Sequence, residues 1–141
     1  MLVRCLYASR AVTPVTQHLT DAILDQSRRT NPKHGITGML VMSDEVFIQV
    51  LEGGRDAVCD LFNNIVRDPR HTAVRILVFE EITERRFGHW SMAHVNTAKV
   101  NASLLLKYSE KAALNPFAAP GHATMALLDE LVATAAVVNR S

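Results

Sequence analysis

The stretch VFIQVLEGG, Val46 to Gly54, constrains this chain more than any other. Successive side chains of a strand point to opposite faces, so Phe47, Gln49 and Leu51 share one face while Val46, Ile48 and Val50 share the other. Both faces are apolar apart from Gln49, and both are expected to be buried. A primary amide has two donors and an acceptor, and burying it without partners costs roughly 1–3 kcal/mol. Something in the fold must hydrogen-bond to Gln49.

Element types alternate around this strand. Leu2 to Ala8 reads as a strand ended by Ser9. From Pro14 to Arg28, Val15, Leu19, Ile23 and Leu24 recur at helical spacing, with Thr13 and Pro14 as N-cap and first helical residue. Gly35 and Gly38 bracket entry to a strand over Met39–Met42, and Ser43-Asp44 turns it into the Val46–Leu51 strand as a hairpin. Val58, Leu61, Phe62 and Ile65 form the stripe of a second helix, stopped by Asp68-Pro69. Two more strands, Val74–Phe79 and Phe87–Val95, complete a βαββαββ order. The expected class is α+β, ferredoxin-like, with helices on one face of an antiparallel or mixed sheet. Asn101–Leu114 and Gly121–Asn139 read as two further helices, the second with a stripe of Met125, Leu128, Leu131, Val132 and Ala135. That stripe is expected to pack on the open face of the sheet, or else to form a dimer or effector surface.

Composition narrows the function. With 141 residues, 48% apolar and 21% charged, the chain reads as one globular domain with a short appendage. Fifteen Lys+Arg against 14 Asp+Glu leave a net charge of +1, which offers no electrostatic case for nucleic acid or an anionic membrane. No apolar run approaches the ~18 residues of a membrane span. MLVRCLYAS is not a signal peptide, so a cytoplasmic location is expected. Cys5 and Cys59 lack zinc or redox spacing and read as two buried free thiols.

Several polar or functional side chains sit where the fold ought to be dry. Tyr7 shares a face with Val3 and Cys5. Ile23, Ser27 and Asn31 lie along one line at the end of the first helix. Trp90 and Met92 are expected on one face of the last strand, opposite Phe87, His89, Ser91 and Ala93. Singly, each has a structural explanation as a core aromatic, a helix-end hydroxyl or core filler. Together they surround the gap between two helices and a sheet.

The segments RCLYAS, SRRTNPKHGITGMLV, FIQVLEGG, VRDPRH and RRFGHWSM, in that order and spacing, resemble the BLUF family of flavin-binding blue-light sensors. The resemblance covers about residues 1–96 and leaves 97–141 as a helical extension. It implies an FAD isoalloxazine ring held between the two helices over the sheet. It also implies photoactive roles for Tyr7, Gln49, Trp90 and Met92, and flavin contacts from Ile23, Ser27, Thr30, Asn31, Gln49, Ile65, Arg70 and His71. Gln49 would lie between the Tyr7 hydroxyl and flavin N5/O4, Asn31 at the O4/N3 edge, Ile23 and Ile65 across the ring faces, and Arg70 on the ribityl-phosphate side. Light would then draw an electron and proton from Tyr7, and the Gln49 amide would rotate or tautomerise. The absorption would shift slightly to the red and revert in the dark, while Trp90 and Met92 could exchange places. Thr30 and Asn64 depart from residues common in the family at those positions.

The extension is too short for a cyclase or phosphodiesterase, so no enzymatic activity is expected. The chain should signal by touching a separate effector protein, as a homo-oligomer, with neither nucleic acid nor membrane as partner. The rival reading is a flavin-free ferredoxin-like ligand-binding or scaffolding module. An acyl-phosphate hydrolase would need an Arg–Asn pair at an anion loop, for which Arg10 with Asn31 is the one candidate.

Overall fold

The structure is a computed structural model that describes residues 1–43, 45–95 and 100–134, with the backbone of 137–138. Strand β3 (Val46–Gly54) lies inside the sheet, antiparallel to β1 (Leu2–Ala11) on one side and to β2 (Thr37–Met42) on the other. Its residues from Val46 to Gly53 are all buried. The expected alternation holds: Phe47 and Leu51 enter one apolar cluster, and Val46, Ile48 and Val50 enter another.

Further strands are β4 (His71–Ile82), antiparallel to β1, and β5 (Ala93–Val95), parallel to β2. The two-residue β6 (Val137–Val138) runs antiparallel to β5. Among the described residues the order is β4-β1-β3-β2-β5-β6, a mixed sheet. Helices α1 (Gln17–Thr30) and α2 (Arg55–Val66) cover one face through Leu19, Ile23, Leu24, Val58, Leu61, Phe62 and Ile65. Helices α3 (Ala102–Tyr108) and α4 (Gly121–Ala133) cover the other, α4 through Met125, Leu127, Leu128 and Leu131. The α+β ferredoxin-like fold with C-terminal helices on the sheet is the one expected. Gly121 lets α4 begin directly on β4, since a Cβ there would stand 2.3 Å from the Leu77 carbonyl oxygen.

Element ends moved for local reasons. Helix α1 starts at Gln17 because Thr16, not Thr13, is the N-cap, its hydroxyl accepting from the Leu19 N–H at 3.2 Å. Helix α3 stops at Tyr108, where Lys107 and Tyr108 both bind the Glu130 carboxylate of α4. Helix α4 ends at Ala133 rather than Asn139, and the β-branched pair Val137–Val138 extends the sheet. The stripe residue Ala135 lies outside the described residues. The expected strand Phe87–Val95 is present only as Ala93–Val95; residues 87–92 are bends and turns. Cys5 is buried, with its thiol pushed up to about 12 by desolvation and then by Cys59, but Cys59 is only half-buried.

Leu128 of α4 is 1% exposed in a cluster that includes sheet residues. Leu128→Ala is expected to lower the unfolding free energy by about 2–5 kcal/mol, measured by urea denaturation.

Candidate functional site

Strand register brings the first pair together: Tyr7 of β1 lies directly opposite Gln49 of β3. The Tyr7 hydroxyl donates to Gln49 Oε1. Gln49 Nε2 in turn donates to Met92 Sδ at 3.4 Å. Tyr7, Gln49 and Met92 are 4%, 5% and 0% exposed, so this chain of contacts is closed to water. Desolvation, followed by the influence of Cys5 and Asp68, pushes the Tyr7 phenol well above its ordinary pKa. Tyr7 is therefore a neutral donor, and the opening problem of Gln49 is solved by one partner on a strand and one on a turn.

Asn31 ends α1 and is 2% exposed. Its backbone N–H donates to Ser27 O, its carbonyl accepts from the Ile36 N–H at 3.0 Å, and its Nδ2 donates to the Ser91 carbonyl at 3.0 Å. Arg28 adds Nε and Nη2 donors to the Met92 carbonyl at 3.2 and 3.1 Å. The end of α1 thus holds the Ser91–Met92 backbone beside Gln49.

On the other flank, both His71 ring nitrogens are engaged, Nδ1 with Ser9 Oγ at 2.7 Å and Nε2 with the Ile65 carbonyl at 2.5 Å. The rings of Phe62 and His71 stand edge-on to Tyr7, with centroids 5.6 and 6.5 Å away. Arg70 pairs with Asp68 at 2.5 Å and donates to Gln26 Oε1 of α1 at 3.1 Å. These Arg70 hydrogen bonds are the main reason the Asp68 carboxyl is held below its ordinary pKa.

A cavity of about 50 Å³ is lined by residues including Tyr7, Ile23, Gln49, Ile65 and His71. A second, of about 80 Å³, is lined by residues including Ser27, Thr30 and Asn31. Both are also lined by Ile23, Gln49, Ile65 and Arg70, which makes them one cleft between α1 and α2. Every residue expected to contact the cofactor lines this cleft. Its apolar walls and three side-chain amides, Gln26, Asn31 and Gln49, match the chemistry of a flat heterocycle with a polar edge, and the Arg70–Asp68 pair stands at its mouth. A larger cavity of about 520 Å³ near Lys107–Pro120 includes none of these residues.

Trp90 does not join them. It packs against the opposite cluster with Phe87 and Ala93, while Met92 enters the α1–α2 cluster. The expectation that Trp90 and Met92 share a face is corrected, because residues 87–92 form turns and strand alternation does not apply there. Nor does Arg10 approach a common site with Asn31; its guanidinium lies 4.2 Å over the Phe117 ring. Sequence reasoning missed Ser9, Arg28 and Asp68 as site residues. Ser9 continues the Cys5–Tyr7 face and could have been found that way, whereas Asp68 was read only as a helix stop.

Residues 2–93 match the family model described as BLUF, sensors of blue-light using FAD. The chain belongs to the BLUF family. It is a blue-light flavin sensor. The chain is 36% identical over 87 residues to photoactivated adenylate cyclase subunit beta of Euglena gracilis, a match over 61% of this chain and 10% of that protein. It is 28% identical over 92 residues to the blue light- and temperature-regulated antirepressor BluF of Escherichia coli K12, covering 65% and 23%. The BLUF match thus spans only 10% of the length of the cyclase subunit and 23% of the antirepressor. The structure of BlsA in its photo-activated state superposes with a TM-score of 0.83 at 32% identity, covering 100% of this chain and 99% of that one. Among the described residues no helix is long and apolar enough to cross a membrane, and no cluster of His, Cys, Asp or Glu could hold a metal.

The Asp68–Arg70 pair gives a pH-dependent test. A carboxyl with a depressed folded pKa contributes stability above its unfolded value of about 3.9 and loses it as pH falls through the folded value. Asp68→Asn is expected to cost about 0.5 kcal/mol at neutral pH, the scale of a partly exposed pair. In urea titrations at neutral and strongly acidic pH, the difference from wild type should vanish at the acidic end.

Proposed function

We propose that the chain is a photoreceptor that binds FAD in the α1–α2 cleft and turns blue light into a rearranged Tyr7–Gln49 hydrogen bond, read by a separate partner protein. The observation that carries this reading is the buried Tyr7–Gln49–Met92 chain, with Asn31 on the same cleft. Asn31 and Gln49 would meet the polar edge of the ring, Ile23 and Ile65 its faces, and Arg70 its ribityl-phosphate side. A bound oxidised flavin, once excited by blue light, is a strong one-electron oxidant.

Tyr7 is the phenol within the cleft, since the chain's other tyrosine, Tyr108, binds Glu130 on α4. Losing an electron makes a phenol strongly acidic, and Gln49 Oε1 already accepts the Tyr7 proton. Burial denies that proton any other exit, so proton and electron both return to Tyr7 once the amide has turned, and the lasting change is the amide's orientation alone. A half-turn of the Gln49 amide places Nε2 toward the Tyr7 oxygen and Oε1 toward Met92 Sδ. Oxygen and sulfur are then two acceptors with no hydrogen between them, so Met92 is released. Met92 leads directly into β5, whose Ala93 and Val95 share a cluster with Leu127, Leu128 and Leu131 of α4. The C-terminal helices then carry the change to an effector protein or to a second copy of the chain.

Purified protein should be yellow, and the cofactor released on denaturation should be FAD rather than FMN by chromatography and mass. Tyr7→Phe should retain flavin, because its hydroxyl contributes about 1 kcal/mol of hydrogen bonding, but should lose the light-induced red shift. Gln49→Leu should lose the shift too. A normal reversible shift in either variant removes that residue from the mechanism, and colourless wild-type protein favours the flavin-free scaffolding module.

A further inference from the structure

We infer that Glu52 is a positioning residue of the photocycle, which with Arg4 fixes the start of the 86–92 segment and thereby sets Met92 against Gln49. This deepens the flavin-sensor reading and rests on it. Glu52 lies three residues beyond Gln49 on β3 and is 0% exposed. Arg4, its register partner on β1, is 5% exposed. Arg4 Nε and Nη2 donate to Glu52 Oε2 at 2.8 and 2.7 Å. The Phe87 N–H donates to Oε1 at 2.6 Å, and the Arg86 N–H to both oxygens at 3.0 and 3.1 Å. Among the described residues this is the one ion pair with both partners buried.

Such a pair is a poor device for stability alone, since apolar residues of similar volume commonly do as well or better. What it supplies is direction: a carboxylate fixes two successive backbone N–H groups, and no apolar side chain can. The segment it fixes passes from one face of the sheet to the other, with Phe87 and Trp90 in the α3–α4 cluster and Met92 in the α1–α2 cluster. Its far end is tied by the Gly38 N–H to Trp90 O at 3.1 Å, by Asn31 to Ser91 O and by Arg28 to Met92 O. Only two residues, Gly88 and His89, separate Phe87 from the first of these ties. Freeing the Glu52 end therefore loosens Met92, opens the floor beneath Gln49 to water and lowers the barrier to reverting the amide.

The test follows dark recovery of the red-shifted state after a blue pulse in the full-length, flavin-loaded chain. Glu52→Gln puts an amide N–H where Arg4 and Arg86 need an acceptor. The double variant Arg4→Met with Glu52→Met removes both buried charges together and decides alone where Glu52→Gln fails to fold. Both should bind flavin and form the red-shifted state, yet recover about fivefold or more faster than wild type. The Arg86 and Phe87 amides should lose hydrogen-exchange protection. A double variant with the melting temperature of wild type and a recovery rate within about twofold of it, or slower, overturns the inference. Absence of any red shift in wild type itself would instead remove the flavin-sensor reading.

Discussion

An amide buried at the centre of a two-sided sheet is the constraint from which the rest of the arrangement follows. Gln49 is 5% exposed on a strand covered on both faces, so solvent cannot satisfy it. Its two partners come from different parts of the chain: the phenol of β1 and the thioether that precedes β5. Leaving either end of the amide unmet would cost about 1–3 kcal/mol. The β1–β3 register and the path of residues 86–92 are therefore coupled through a single side chain, and a change at one is felt at the other.

The sheet acts as a partition between two apolar clusters with different tasks. On the α1–α2 side the packing leaves a cleft with polar groups at set places. On the α3–α4 side the packing against the sheet is tight, with Leu128 and Leu131 at 1% exposure, and the larger cavity lies away from the sheet residues at Lys107–Pro120. Residues 86–92 connect the sides, and their anchors among the described residues include Glu52 of β3, Gly38 of β2, Asp129 of α4, and Arg28 and Asn31 at the end of α1.

Where a period governs the chain, the site was legible. Alternation along β3 placed Gln49 with Phe47 and Leu51, and the helical spacing of Ile23, Ser27 and Asn31 put all three on the cleft. Residues 87–92 have no period, because they form bends and turns in which the carbonyls of Trp90, Ser91 and Met92 are taken by β2 and by side chains at the end of α1 rather than by a strand ladder, and so Trp90 was placed on the wrong side. Thr13 and Thr16 are equally good caps by composition; the structure uses Thr16, with Val15 before it packed against the α1–α2 cluster. Arg4 and Glu52 escaped notice for a different reason. Each was absorbed into a strand-like segment, although a charged residue inside an apolar run signals a buried partner as clearly as Gln49 does.

The contacts on either side of Tyr7 differ in how easily they change. His71 is held through both ring nitrogens to a hydroxyl and a backbone carbonyl, at 2.7 and 2.5 Å, and forms fixed surroundings for the phenol. Gln49 is held by a strong oxygen contact at one end and by a sulfur at the other, and a thioether is a weak acceptor. Turning the amide exchanges a hydroxyl-to-oxygen bond for an amide-to-phenol bond of similar kind, gives up the weak contact to Met92 and leaves Oε1 facing a sulfur that cannot donate. The turned orientation is therefore the less stable one by about 1–3 kcal/mol, the cost of a buried carbonyl without a donor, and it relaxes back unless a donor meets Oε1. An oxygen acceptor in place of Met92 would lock the amide, and a plain hydrocarbon would leave its N–H groups unmet. A sulfur at this point lets a buried amide be satisfied and still be free to turn.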